Sequence, residues 1–354
     1  MHKVDKFFSL LRFSLDAEAP MPQISGEEWD DMYRMARNQA VQGVVLQGVK
    51  RMAPDNRPPR PLLLQWIGEG QAIEHRNRQI DDGVGVVAQW FAKRGFRSCL
   101  LKGQGNALMY PVPSSRCPGD IDIWVEGSDE EVIRLVKTTS QDEVARYHHI
   151  VCQPYKDIEV EAHYRPGFMF NPIHNRRLQD FFMENRSSQM DNAKSLGGAS
   201  IAVPTTAFNI VYQLAHIHNH LFDQGIGLRQ MTDYYLLLSH ATTGDMPSEA
   251  LLRRLGLWKM AGTVMYVMRY VFALEESQMI APTDERRGKL MLGEILAGGN
   301  FGQHDTRFGF RNGRIWHNIQ RLWRDMRLIV YFPSPCFWEP FFRLWNFVWR
   351  MRHR

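Results

Sequence analysis

The hydrophobic pattern of the chain changes period twice. Over roughly the first 95 residues, apolar positions recur at helical spacing. An amphipathic segment runs from Trp29 to about Lys50, opened by the capping pattern Ser25-Gly-Glu-Glu. The proline-rich APDNRPPRP, 53–61, predicts a loop, and a long helix is expected from Leu62 to about Arg94, stopped by Gly95. From Phe96 the period shortens. FRSCLLKG is an apolar run into glycine and suits a buried strand, whereas DIDIWVEG alternates and predicts a second strand. Between them NALMYP reads as a helical turn or two and PVPSSRCPG as a loop. SDEEVIRLVKTT predicts a capped helix, and HHIVCQPY and DIEVEAHY two strands that a hairpin would join. Helical spacing then returns. Residues 166–203 read as irregular apart from a helix near RRLQDFFMEN, and Pro204-Thr205 opens a strong helix. LRQMTDYYLLLSHA and EALLRRLGLWKMAGTVMYVMRYVFAL supply two or three more. A glycine-rich basic loop follows from Gly298 to Arg314, and the end is helical from Ile315, interrupted by FPSP.

The order strand, helix, strand, helix, strand, strand between long helical stretches predicts an α+β fold, with a small mixed sheet flanked by N-terminal and C-terminal helical regions. The expected organisation is a helical region at 1–95, an α/β core at 96–165, a helical region at 166–300 covering it, and a basic aromatic tail at 301–354.

Composition adds limits. The 354 residues are 44% hydrophobic and 23% charged, as in a globular chain able to bury a core. Cys99, Cys117, Cys152 and Cys336 lack CxxC spacing, which argues against a zinc ribbon or a disulfide framework and suits a reducing, cytoplasmic compartment. No secretory signal or membrane span is expected. The net charge of +5 is uneven: residues 301–354 hold ten Arg against two Asp and one Glu, so they carry +7 and the remainder −2. An anionic partner is expected at that end.

Carboxylates in the second strand change the picture most. Alternation puts Asp120 and Asp122 on one face, with Ile121 and Ile123 opposite. Two such carboxylates repel, and a hard divalent cation relieves the repulsion. The later strand aligns Asp157, Glu159 and Glu161, from which a third ligand could come. Gly103 and Gly105 follow a strand and precede a turn, where backbone amides can approach phosphate, and Lys102 or Arg116 adds positive charge. Together these point to phosphoryl or nucleotidyl transfer.

The stretch LLKGQGNALMYPVPSSRCPGDIDIWVEG resembles the signature of the uncharacterised nucleotidyltransferase family, within the polymerase-beta nucleotidyltransferase superfamily. Val160-Glu-Ala-His-Tyr164 resembles its Val-Glu-Leu-His-aromatic segment, and Leu228, Arg229 and Asp233 its downstream helix. The resemblance spans about residues 30–340. It implies a nucleotidyltransferase core, with Asp120 and Asp122 as the first two metal carboxylates and Glu161 as the third; Glu159 shares that face and stays open. It further implies that Lys102, Gly103, Gln104, Gly105, Arg116 and Arg229 hold the nucleotide. Gln104 departs from the wider superfamily's small residue after the first glycine. The implied reaction moves a nucleoside monophosphate from a nucleoside triphosphate to a hydroxyl of a small molecule, glycan precursor, protein or RNA, using Mg2+ or Mn2+. The alternatives are an inactive binding module of the same fold and a membrane-surface protein acting through its C-terminus.

Other features have plainer readings. His216, His218 and His220 lack the Glu of a zinc-protease helix, so no zinc is expected there. His163, beside the carboxylate strand, is the better functional histidine. Arg229 and Asp233, four apart, read as an intrahelical ion pair or as a free guanidinium for phosphate. The loop at 298–314 reads as a surface loop or a cover over substrate. CFWEPFFRLWNFVWRMRHR reads as a helix docked on the protein or lying on the inner membrane surface.

Overall fold

The computed structural model describes residues 3–141, 143–305, 307 and 327–352. Residues 306 and 308–326, which include the far part of the glycine-rich loop and the start of the helical stretch expected from Ile315, lie outside them.

Four helices precede the sheet: α1 (Lys3–Leu15), α2 (Trp29–Asn38), α3 (Gln42–Arg51) and α4 (Arg60–Ala92). The amphipathic segment from Trp29 is broken at Gln39–Val41, where Ala40 takes a φ of +52°. Gln39 explains the break. Its buried amide donates to the Ile295 carbonyl at 2.8 Å and accepts from the Leu228 amide at 2.9 Å, so tertiary bonds replace helical continuation. On α4, Ile80, Val84, Val87 and Phe91 pack under the sheet, while Asn77 donates to the carbonyls of Ser114 and Arg116 and pins the loop before the second strand.

The sheet contains β1 (Ser98–Leu100), β2 (Ile121–Val125), β3 (His149–Cys152), β4 (Val160–His163), β5 (Ala193–Leu196) and β6 (Ala199–Ala202), in the order β3-β4-β2-β1-β6-β5. It is mixed: β2 runs parallel to β4 and β1 to β6, and the other pairs are antiparallel. Short α5 (Gln104–Ala107) follows β1, and α6 (Asp129–Lys137), capped by Ser128, follows β2. Alternation on β2 splits the interior. Ile121, Ile123 and Val125 join α4 and Val132, Ile133 and Val136 of α6 in one core. Trp124 faces the other way, stacked 5.8 Å from Phe208 in the larger, mainly helical core.

Residues 166–203 are not irregular. They form α7 (Pro172–Asp191) and the β5–β6 hairpin, which turns at Gly197 and Gly198, both at positive φ. Only Leu196 and Ile201 are buried among the eight strand residues, so the apolar signal is weak. α8 (Thr206–Asp223) and α9 (Leu228–Ser239) cover the Trp124 face, followed by α10 (Glu249–Arg254), α11 (Trp258–Phe272), α12 (Glu285–Gly298) and α13 (Pro333–Arg352). The FPSP stretch falls at a break between helical residues 327–328 and α13: Pro333 occupies the first turn of α13, where a missing amide proton costs nothing. No helix of the described residues is long and apolar enough to cross a membrane.

Candidate active site

β2 and β4 pair in parallel with Asp122 directly opposite Glu161 and Trp124 opposite His163. β3 then sets His149 opposite His163. Alternation therefore gathers Asp122, Glu161, His163 and His149 on the face that α8 covers. Asp120 comes just before β2, where the Ile121 amide donates to the Glu159 carbonyl at 3.0 Å. Ligand atoms of Asp120, Glu159 and Glu161 lie within 4.8 Å of one another, and so do those of Asp122, Glu161 and His163. Glu161 belongs to both groups.

Lys102 leaves the end of β1 and places Nζ 2.8 Å from Asp122 Oδ1 and 3.5 Å from His216 Nε2. Burial alone would lower the lysine's pKa, but Asp122 outweighs it and the ammonium is held charged. Asp122 is correspondingly depressed: its burial would raise it, and Lys102 and His163 reverse the sign. Asp120, exposed at the mouth, is raised to about 6, first by repulsion from Asp122 and then by desolvation. His163 is desolvated too, yet its bonds to Asp122 (3.1 Å) and Glu161 (3.3 Å) lift it to about 9.

The turn after Lys102 depends on Gly103, at φ +59°, where a Cβ would come within 3.4 Å of the Asp120 carbonyl oxygen. Gln104 points away. It is buried and donates to Asp81, which accounts for a long polar residue at this position. Gly105 lies close against the Leu100 carbonyl.

Arg116 is fully engaged. Its Nε and Nη2 hold Asp233 in a fork at 2.8 Å each, and Nη1 donates to its neighbour's carbonyl. Tyr110 and Asn106 complete the Asp233 shell at 2.6 and 3.2 Å. Asp233 is thus bound across the fold by Arg116, and Arg229 turns elsewhere. Arg229 Nη1 donates to the carbonyls of Cys117 and Pro118, its guanidinium lies 5.2 Å from the Phe301 ring centre, and its buried Nε has no partner.

These groups meet at one small cleft, with Lys102, Gly103, Asp120, Asp122, His216 and Arg229 around it. The sequence reading missed Asn106, Tyr110 and Tyr212. It noted His216 only as a zinc candidate and left His149 out. The hairpin register carried a signal for His149, since pairing HHIV with VEAH puts it opposite His163.

The donor set fits a hard cation. Carboxylates converge from two adjacent strands, their repulsion is visible in the raised Asp120, and the Tyr212 hydroxyl is buried beside them without a partner.

The family model described as uncharacterised nucleotidyltransferase matches residues 25–274. Nothing matches among curated proteins. A solved structure of an antigenic nucleotidyltransferase-like protein from Paracoccidioides brasiliensis is similar at 12% identity, over 59% of this chain and 95% of that one, with a TM-score of 0.36. A likeness that distant carries no argument about the site.

Proposed function

Because the chain belongs to the uncharacterised nucleotidyltransferase family, we propose that it transfers a nucleoside monophosphate from a nucleoside triphosphate to a hydroxyl acceptor. The observation that carries this reading is the Asp122–Glu161 register, with Asp120 and Glu159 alongside, next to a cleft that Asp120, Asp122 and Arg229 line. Asp120, Asp122 and Glu161 would hold Mg2+, or Mn2+ in its place, and the bound ion would neutralise charge on the triphosphate. Arg229 offers a fixed guanidinium to phosphate oxygens. Lys102 holds Asp122 ionised and adds positive charge at the wall. The peptide at Gly103 brings backbone close to the same wall without a side chain. Glu161, partly exposed, would accept the acceptor's proton. Gln104, Gly105 and Arg116 support the cleft rather than line it with free donors.

The test is Mg2+-dependent binding of the four ribonucleoside triphosphates by calorimetry, followed by label transfer from an α-labelled triphosphate. Wild type should bind only with Mg2+, and Asp120→Ala/Asp122→Ala should not. Binding that ignores both the metal and the carboxylates would sink the reading.

Two observations favour other readings. Lys102 and His163 already neutralise Asp122, as in an inert module; binding without label transfer would support that. Along α13, Phe337, Phe341, Leu344, Val348 and Met351 form one exposed apolar face, with Arg350 and Arg352 at its end. That face suits an anionic lipid surface. Sedimentation with phosphatidylglycerol vesicles, lost on removing 333–354, would support it; unchanged sedimentation would end it.

A further inference from the structure

We propose that His148, His149 and His163 form a second metal site, an imidazole site for a borderline divalent ion of the zinc class, meeting the carboxylate cleft at Glu161. The proposal needs no nucleotide and stands apart from the transfer reading.

Three rings occupy one space. Consecutive residues of a strand normally point to opposite faces. His148, just before β3, and His149, its first residue, instead bring their ring centres to 4.3 Å, with His148 Nε2 3.0 Å from His149 Nδ1. His163, paired opposite His149, lies 5.1 and 5.4 Å from the two rings. One ligand atom from each falls within 4.8 Å of the others.

The spacing around Glu161 suits an ion. His149 Nδ1 and His163 Nε2 each lie 3.3 Å from Glu161 Oε2. A tetrahedral centre with bonds of about 2.0–2.1 Å places its donor atoms about 3.3 Å apart.

The His163 ring is oriented as a ligand would be. His163 Nδ1 faces the Arg165 carbonyl at 3.3 Å, which directs Nε2 inward, the second-shell arrangement common to metal-binding histidines. A divalent ion would take over the role of the proton that Asp122 and Glu161 hold on His163. Imidazoles favour zinc, cobalt or nickel, whereas the neighbouring oxygens favour magnesium, so donor chemistry separates the two sites.

The experiment is a Co2+ titration of the full chain after chelator treatment, read by visible absorption and then by displacement with Zn2+. We expect a saturable d–d band at one equivalent, quenched by Zn2+. His149→Gln and His148→Ala should weaken it by about tenfold or more, while Asp120→Asn leaves it intact. Circular dichroism of each variant separates lost binding from lost folding, and His149→Gln keeps a polar group should the alanine variant fail to fold. No band in wild type, or a band that neither histidine substitution weakens, would overturn the proposal. Loss of triphosphate binding in Asp120→Asn with the Co2+ band retained would distinguish the oxygen site from this one.

Discussion

Lys102 and Asp122 form an ion pair of 2.8 Å, with Asp122 3% and Lys102 19% exposed. Removing one member of a buried pair leaves the other uncompensated, at a cost of about 3–5 kcal/mol. Lys102→Met should therefore lower stability toward the smaller figure, since the lysine is not fully enclosed. Millimolar Mg2+ should restore part of the loss, because a cation then faces Asp122 again. Thermal melts with and without Mg2+ decide this, and a deficit that Mg2+ does not touch would count against cation binding at Asp122.

Arg116 and Asp233 hold two elements of the cleft wall together, and neither is free for a ligand. Asp233→Ala strands a buried guanidinium and should cost about 3–5 kcal/mol in urea unfolding. Arg116→Lys should also destabilise, because an ammonium cannot reproduce the two-pronged contact. A mild effect in both variants would mean that Arg116 has another partner in solution.

Arg229 predicts the opposite division. Its Nε has no partner, and its contacts are two backbone carbonyls and the Phe301 ring. Arg229→Gln should leave the melting midpoint nearly unchanged yet weaken triphosphate binding by about 1.5–3 kcal/mol, the range for hydrogen bonds to a charged group. Calorimetry on the folded variant measures it. Unchanged affinity would remove Arg229 from the site.

His218 should make the fold acid-sensitive. Burial beside Phe170 and Phe222 lowers its pKa from 6.5 to about 4, against the hydrogen bond to the Asn219 side-chain oxygen, which raises it. Between those values the unfolded chain takes up a proton that the folded chain refuses. Stability therefore falls as pH drops from about 6.5 to about 4 and levels off below. The full effect is about 3 kcal/mol. Urea midpoints of wild type and His218→Asn across this window isolate it, because the other buried histidines contribute equally to both. Parallel curves would show that His218 titrates normally.

How much of this was legible beforehand depends on where each signal lay. The α+β order, the long α4 helix and the alternation of β2 were visible because period 2 and period 3.6 leave strong local patterns in DIDIWVEG and in residues 62–94. Alternation alone put Asp120 with Asp122 and aligned Asp157, Glu159 and Glu161, and the family resemblance singled out Glu161. The β5–β6 hairpin was missed because two buried side chains in eight give no period, although its Gly-Gly pair was a turn signal. Long-range polar bonding was invisible in principle. Nothing local tells that Asp233 answers to Arg116 rather than to Arg229 four residues away, or that Gln104 belongs to Asp81. Such pairings exist only once three elements have met.

β1 owes one of its two neighbours to a strand that arrives about a hundred residues later. β6 lies beside β1 in parallel and, with β5, closes that side of the sheet. During synthesis, β1 and its Lys102 turn must wait until residue 202 has emerged. Until then the strand keeps a bare row of amides and carbonyls, a template for pairing with another chain. A chain stopped at residue 165 would hold the carboxylates, the lysine and the glycine turn and still be prone to self-association, because the hairpin that the periodicity hid is what shields that edge.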